Sequence, residues 1–388
     1  MKVKSIFLSM LAIAALASCS KEETSVDPPV PQGKARLIDL TIGGGSLSSK
    51  AAGAATNATD KAITNLTVFG VNTTTGSIVT KKYFSTLVDA GDNKKKVNLA
   101  TTDQTTEIYV IANIGKDLTA SGEALNVQTL TALKNAQASL IVTAPAVAPA
   151  QTEGNVLMSG STTTITGGIG GATAATASVS LNFIASKIIL KSLSREAGST
   201  GVYGTDFKFD SAILTNVQTS AYYLMGNNSY IDIIAGNVRP AITSTWATGR
   251  NGQTDTEVAD FSQSLSSITA FAPGDAATQD LAYWYVFENS DQDKPTTLLI
   301  KYLWKEKTDG AMDKEMYFPV TFIANDASVI EPGKAYNVSM KFHGNFEPDE
   351  NGGGGTEDPD TPIVPGSVDV QVTPADWNAV TTDKDFGQ

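Results

Sequence analysis

The chain has 388 residues, of which 41% are hydrophobic and 18% are charged, and its formal net charge is −12 at pH 7. This charge argues against nucleic acid and anionic membranes as partners, because both need clustered Lys and Arg. The length and apolar content predict two domains with substantial cores. A single cysteine excludes an internal disulfide.

The first 18 residues have the features of a secretory signal peptide. Lys2 and Lys4 precede the apolar run Ile6–Ala17, which is too short to span a bilayer. The run leads into Leu-Ala-Ser-Cys, the pattern of a bacterial lipoprotein signal, so Cys19 is predicted to carry the lipid; the alternative is a stray thiol in an ordinary cleaved signal. The polar, proline-rich residues that follow predict a flexible tether.

From Arg36 onward, most apolar runs are short and alternate with polar residues, which is typical of β-sandwiches. In the first half, strands are predicted at Ile63–Asn72, Glu107–Ile114 and Ala177–Leu193. The spacing of apolar residues within Asn126–Leu140 predicts one short helix. The stretch Ser194–Gly204 is predicted to join two domains.

Five further alternating runs predict a second sandwich. They are Asp206–Ser220, Asp280–Ser290, Thr296–Glu306, Met316–Ile323 and Lys334–Gly344. Aromatic side chains recur at cross-strand positions in this half, and they are predicted to fill a core instead of stacking on a ligand. These aromatic residues are Trp284, Tyr285, Phe287, Tyr302 and Trp304.

Few residues could support catalysis or bind a metal. His343 is the only histidine, and no cysteine nucleophile is available to pair with it, which disfavours Ser–His–Asp and His-based metal sites. Gly43–Ala51 fails the phosphate-loop motif because Lys50 is followed by Ala. Asp291 and Asp293 lack the further ligands of a calcium loop. The sequence predicts no enzyme, cofactor or metal, although spacing alone leaves a two-carboxylate glycosidase open.

Two short strands with the same pattern stand at the two ends of the folded region. Their apolar residues share one face: Ile38, Leu40 and Ile42 in the first strand, and Val368, Val370 and Val372 in the second. Either strand could therefore occupy the same position in a sheet.

The neighbouring segments suggest that one strand replaces the other. The first strand is followed by a soft loop in which Lys50 and Lys61 are predicted to be exposed to a trypsin-like protease. The acidic, glycine-rich residues 346–367 before the second strand are predicted to swing freely. Cleavage after Lys50 would empty a groove, and the tail of a neighbouring copy, including Trp377, would fill it. Head-to-tail exchange of this kind gives an open filament.

Several phrases occur in an order that resembles a known family. They are LASC, NVLMSG at Asn155–Gly160, SLNFIASKIIL, AILTNVQTSAYYL, YVFEN at Tyr285–Asn289, GKAYNVSMKF and VDVQVTPADWNAV. Over essentially its whole length the chain resembles the Bacteroidetes fimbrillins, the major fimbrial subunits of the FimA/Mfa type that build type V pili. The resemblance implies two transthyretin-like β-sandwich domains, lipoprotein export, removal of the first strand by an Arg- or Lys-specific protease, and polymerisation through donated C-terminal strands.

One departure concerns the processing residue. The family's usual residue is Arg, whereas the loop after the first strand offers Lys50 and Lys61, and Arg36 precedes that strand. Cleavage after Arg36 would leave the strand attached, so Lys50 is favoured.

The prediction is an all-β protein with a short helix in its first domain and a detachable C-terminal strand. Its parts are the signal peptide 1–18, the tether and removable strand 19–50, the N-terminal domain 51–193, the C-terminal domain 194–345, the linker 346–367 and the donor strand 368–388.

A chain with both a groove and a donor strand is predicted to be a shaft subunit. Its expected partners are copies of itself, anchor and tip subunits, the Arg/Lys protease, a host or bacterial surface receptor, and the outer membrane through the lipid before processing. The alternative is a monomeric surface lipoprotein that binds glycans through its aromatic residues.

Overall fold

The computed structural model describes residues 33–44, 58–139, 154–168, 174–224, 246–249, 256–258, 261–289, 291, 293–305, 310, 314–324, 327–328, 330–344, 346, 355–359 and 368–376. Strands make up 56% of the structure and helices 3%, which confirms the predicted all-β class. The helices among the described residues are a 3₁₀ helix at Ala58–Lys61 and an α-helix, α1, at Leu130–Asn135. Within the described part of the chain, no helix is long and apolar enough to cross a membrane.

The strands in chain order are β1 (Ala35–Gly44), β2 (Leu66–Asn72), β3 (Ser77–Phe84), β4 (Val88–Asp89), β5 (Lys94–Thr102), β6 (Glu107–Ala112), β7 (Gln137–Ser139), β8 (Met158–Thr162), β9 (Ile165–Thr166), β10 (Ala175–Phe183), β11 (Ser186–Arg195), β12 (Phe207–Thr215), β13 (Val217–Gln218), β14 (Ser220–Tyr222), β15 (Trp246–Thr248), β16 (Thr256–Val258), β17 (Ser262–Ser264), β18 (Ala276–Val286), β19 (Thr297–Trp304), β20 (Lys314–Thr321), β21 (Ile323–Ala324), β22 (Ala327–Ser328), β23 (Lys334–Phe342) and β24 (Val368–Asp376).

The first sandwich is built from one extended sheet in the order β3-β2-β6-β8-β10-β1-β5-β4, with β9 also paired to β10. Along β10, buried and exposed residues alternate strictly, so one face of that strand meets the core and the other meets solvent. Strand β2 is buried along its whole length.

The second sandwich has two four-stranded sheets, ordered β18-β11-β23-β24 and β17-β12-β19-β20. Aromatic rings join them across the core. Phe342 of β23 lies 4.9 Å from Phe318 of β20 and 5.6 Å from Phe209 of β12, measured between ring centroids. Ring pairs at these separations contribute favourable contacts beyond their buried area.

The aromatic residues predicted to fill the core do so. Trp284, Tyr285, Phe287 and Tyr302 are all buried, and Trp304 is half-buried and packs against the same apolar cluster. Burial raises the pKa of the Tyr302 phenol well above its usual value, because the ionised form would lack water. These five aromatic residues therefore do not form the exposed platform that the glycan-binding alternative assigns to them.

The predicted helix is present but shorter than Asn126–Leu140. Helix α1 begins after Thr129, whose hydroxyl accepts a hydrogen bond from Ala132 N at 3.2 Å and caps the first turn. Leu133 is its buried contact with the core.

The predicted strand Ala177–Leu193 is in fact two strands that belong to different sandwiches. The chain leaves β10 at Phe183 and enters β11 at Ser186, which pairs with β18 and β23. Ile184 and Ala185 between them are buried, and the backbone N–H of Gly333 donates to the Ala185 carbonyl at 2.9 Å. Strand β11 therefore pairs with strands of the second sandwich, although it precedes the predicted boundary between 193 and 194. The two connecting residues, Ile184 and Ala185, are apolar and give no turn signal, so the sequence alone predicts one continuous strand.

Two of the described residues in the linker predicted at 346–367 contact the second sandwich. Phe346 is buried, stacks on Phe207 with centroids 3.9 Å apart, and its carbonyl accepts a bond from the Tyr302 hydroxyl. Thr356 exchanges two backbone hydrogen bonds with Tyr317 on the edge strand β20. The expectation of a freely swinging segment is wrong at these points.

Replacing Phe346 by Ala is expected to destabilise the protein by about 3–5 kcal/mol, as other large aromatic truncations in cores do. Urea unfolding followed by tryptophan fluorescence measures the change. Glu357→Ala is the matched control in the same segment, because the Glu357 side chain is exposed and pairs with Lys314 at the surface. This change should alter stability by less than about 1 kcal/mol. Equal effects of the two changes would contradict a core role for Phe346.

Candidate functional site

Strand β1 is an interior strand of the first sandwich. It runs parallel to β10, from the pair Ile38–Ala175 to the pair Gly44–Leu181, and antiparallel to β5, from Ala35–Thr102 to Gly43–Lys94. Both of its edges are therefore hydrogen-bonded. Taking β1 out would leave two facing strand edges with unpaired backbone groups.

The side chains of β1 alternate as the sequence predicts. Ile38, Leu40 and Ile42 are each 0% exposed, whereas Asp39 is exposed and Thr41 is half-buried. Burial of each of the three apolar side chains contributes roughly 1.5–3 kcal/mol. An empty β1 position would therefore be an apolar groove that favours a replacement strand of the same pattern.

The outer face around β1 forms an open polar cleft of about 560 Å³. Asp39 lies between Asn98 of β5 and Thr176 of β10, and Thr41 lies between Lys96 and Ser178. The cleft thus presents hydroxyl, amide, carboxylate and ammonium groups together, and β1 supplies its middle row.

The three proposed processing residues lie in different environments. Lys50 lies outside the described residues, in the segment 45–57 that connects β1 to the 3₁₀ helix. Lys61, predicted to be exposed, is 5% exposed inside that helix, and burial lowers the pKa of its ammonium. Arg36 is also buried, is part of β1, and donates a 2.7 Å hydrogen bond to the Gly167 carbonyl.

The C-terminal strand is present, and it pairs with its own chain. Strand β24 runs antiparallel along β23, from Phe342–Val368 to Lys334–Asp376, and forms the edge of its sheet. An edge position tolerates Pro374, which has no N–H to donate. Cys19 and Trp377 lie outside the described residues.

The residues considered for catalysis form surface interactions. His343 Nδ1 lies 2.8 Å from Glu196 Oε2, and this hydrogen bond, with one from Lys341, holds the pKa of Glu196 below its usual range. Asp291 accepts backbone bonds from Asp293 and Lys294, as a turn residue does. Among the described residues, no three His, Cys, Asp or Glu side chains cluster as a metal site would require.

The described strands form two β-sandwiches, and sequence comparison identifies the family of the chain. Residues 38–206 match the family of the major fimbrial subunit protein FimA, and residues 202–377 match the C-terminal domain of FimA-like major fimbrial subunit proteins. The chain belongs to this family of major fimbrial subunits, which confirms the resemblance found in the sequence. It is accordingly a fimbrial subunit of the cell surface, a structural role.

Solved structures agree on the fold. A candidate cell adhesion protein from Bacteroides eggerthii superposes with a TM-score of 0.68 at 26% identity, covering 90% of this chain and 98% of that one. A similar protein from Parabacteroides distasonis gives 0.56 at 18%, covering 91% and 100%. Fimbrilin FimA from Porphyromonas gingivalis gives 0.55 at 15%, covering 88% and 99%. No curated protein sequence matches the chain.

Two features escaped the sequence prediction. The pairing of β24 with β23 joins strands that the linker separates, and it has no local sequence signal. The carboxylate of Asp60, beside Lys61, is fully buried against groups from the second sandwich, although Asp and Lys in a polar stretch ordinarily indicate a solvated turn.

Proposed function

We propose that this protein is a shaft subunit of a type V fimbria, exported as a lipoprotein on Cys19 and polymerised by strand exchange after proteolysis. The position of β1 carries the proposal. This strand is central in its sheet, yet it lies at the start of the folded region and is joined to the rest only through residues 45–57. A single cut there would separate it from the chain without cutting any of the strands that the structure describes.

The cut is proposed to fall after Lys50. This residue is the only Lys or Arg within 45–57. The alternatives Lys61 and Arg36 are both buried, and a protease needs its substrate segment exposed and locally unfolded. Cleavage after Lys50 gives a chain that begins at Ala51.

The donor is proposed to be the C-terminal segment 368–388 of a neighbouring copy. Aligning Val368 with Ile38 places Val370 at the Leu40 position and Val372 at the Ile42 position. A shift by one residue would turn Asp369 and Gln371 toward the core instead. The alignment is therefore fixed by the same alternation that places β1.

Pro374 is compatible with this alignment. Asp103 N donates to the Lys34 carbonyl at 2.9 Å, and the pairing of β1 with β5 continues in step from there, so even-numbered residues of β1 direct their N–H toward β5. Pro374 would replace Gly44, one residue beyond Gly43–Lys94, the last pair with β5. Its missing N–H would therefore break no hydrogen bond of the ladder.

Backbone pairing favours transfer of the C-terminal strand from its edge position to the β1 position of a neighbouring copy. In its own chain, β24 has one neighbour, β23, whereas the β1 position offers two, β5 and β10. A strand that moves from the edge to the groove gains backbone pairing on its second side. Head-to-tail exchange between copies leads to an open filament, and a chain with both groove and donor belongs in the shaft, between an anchor and a tip subunit.

To test the proposal, the protein is recovered from the native cell surface and its intact mass is measured. The mass identifies the N-terminal residue of the chain. We expect polymers whose subunits begin at Ala51 and unpolymerised precursor that begins at acylated Cys19. Polymers whose subunits still begin at Cys19 would contradict the proposal, because β1 would still occupy the groove.

A further inference from the structure

A buried ion pair lies immediately after the segment that connects β1 to the rest of the chain. Asp60, in the 3₁₀ helix, is 0% exposed, and its Oδ2 lies 3.0 Å from Nζ of Lys187 on β11. The hydroxyl of Tyr285 on β18 donates to Asp60 Oδ1. The Lys187 ammonium also lies 4.7 Å from the ring centroid of Tyr283 and 5.0 Å from that of Tyr285. The 3₁₀ helix Ala58–Lys61 is thus bound to the second sandwich through Asp60.

This pair holds its segment because neither charge can be left alone. Each charge has lost its water, and the opposite charge and the hydrogen bonds replace it. Breaking such a pair by removing one partner leaves an uncompensated buried charge, which is strongly unfavourable. Release of Asp60 into solvent would leave Lys187 in that state, so the segment opens rarely.

The residues after Asp60 are bound to the first sandwich. The Asn113 side chain donates to the carbonyls of Ala62 and Val156 and accepts from the backbone N–H of Thr64. Ile63 is buried. Both sides of the Lys61 peptide bond are therefore fixed, one by Asp60 and the other by Asn113.

Lys61 is a second lysine, close to Lys50 in the sequence, and it is buried. A protease that accepts Lys50 would also accept Lys61 if the segment opened, and that second cut would remove Asp60 with residues 51–61. Among the described residues, the Lys61 ammonium has no hydrogen-bond partner, so its own contacts do little to keep it in place. Its protection depends on its neighbours.

We propose that Asp60, through Lys187 and Tyr285, anchors the N-terminal end of the processed chain and protects the peptide bond after Lys61 from the protease that removes β1. The anchor thereby allows cleavage after Lys50 and prevents cleavage after Lys61. The inference rests on the proposed function only in taking that protease to be lysine-accepting.

The test is digestion of the purified precursor with a lysine-specific endoprotease, followed over time by intact mass. In the natural protein, a product beginning at Ala51 should accumulate while the bond after Lys61 resists. In Asp60→Asn, a product beginning at Ala62 should appear about tenfold faster or more, because the segment opens more often. Tyr285→Phe, which removes one hydrogen bond and keeps both charges, should give a smaller increase.

The matched control is Asp280→Asn. Asp280 on β18 pairs with Lys191 on β11, so it joins the same two strands, but its side chain is 46% exposed. This variant should digest like the natural protein. Asp60→Asn with Lys61→Gln should lose the Ala62 product, which assigns that product to cleavage after Lys61.

Two outcomes would overturn the anchor. One is cleavage after Lys61 in the natural protein as fast as after Lys50. The other is a bond after Lys61 that stays as resistant in Asp60→Asn and Tyr285→Phe as in Asp280→Asn. Correctly cut chains that fail to polymerise would count against the proposed function and leave the anchor standing.

Discussion

Replacing Leu40 by Ala is expected to destabilise the precursor by about 2–5 kcal/mol and to leave the assembled fimbria unchanged. Leu40 is fully buried at the middle of β1, and truncating a core leucine leaves a cavity as well as losing transfer free energy. Once β1 is removed, the mutated residue is no longer part of the protein. Chemical denaturation of the precursor and thermal dissociation of isolated fimbriae measure the two effects.

Asp39→Ala is the matched control for Leu40→Ala. It changes the adjacent residue of the same strand, but the Asp39 side chain is exposed, so the free energy of unfolding of the precursor should shift by no more than about 0.5 kcal/mol. Fimbriae that become easier to dissociate in Leu40→Ala would show that β1 stays in the mature subunit, and strand exchange at this groove would then be ruled out.

Replacing Val370 by Asp is expected to abolish polymerisation while the precursor still folds. In the alignment of the donor with β1, residue 370 takes the place of Leu40, so the substitution would bury an unpaired carboxylate in the groove. In the precursor, β24 is only an edge strand on β23, so loss of its pairing leaves the first sandwich unchanged and keeps the other three strands of that sheet paired. High-mass ladders on unheated gels and electron microscopy of filaments report the result.

Gln371→Glu provides the comparison for Val370→Asp. It also adds a negative charge to the same strand, but its side chain would point away from the core in the alignment, and polymers should still form. Normal polymers from Val370→Asp would place the donor elsewhere in residues 368–388, and normal polymers after deletion of that whole segment would refute C-terminal donation.

Local alternation made part of this fold predictable. The buried side chains of β1 can be predicted from the sequence, because Ile38, Leu40 and Ile42 alternate with polar residues and every second side chain lies in the core. The aromatic residues of β18 and β19 and the short helix α1 were predictable for the same reason. In each case, the period of the pattern and the geometry of the element agree.

The features that escaped prediction depend on long-range pairing. The break between β10 and β11 is invisible in the sequence because Ile184 and Ala185 are buried and as apolar as the strands they join. Lys61 looks like an exposed loop residue until Asp60 meets Lys187, more than a hundred positions away in the chain. Phe346 belongs to an acidic, glycine-rich stretch, and its place in the core depends on Phe207 and Tyr302, which are distant in the chain.

One glycine in that stretch has a definite structural reason. Gly355 adopts φ of +83°, and a β-carbon there would lie 2.7 Å from the Tyr317 carbonyl oxygen. Only glycine lets the chain approach β20 closely enough for Thr356 to pair with it. A composition that reads as flexible in sequence therefore marks a tight contact in the fold.

The polar cleft over β1 has a further consequence if β1 is exchanged. Asp39 and Thr41 would leave the subunit, and in the alignment above Asp369 and Gln371 of a different molecule would take their places between the same side chains of β5 and β10. The precursor and the fimbria would then carry different epitopes at an otherwise identical surface. An antibody raised against this face of the precursor would distinguish unprocessed subunits from assembled ones on intact cells.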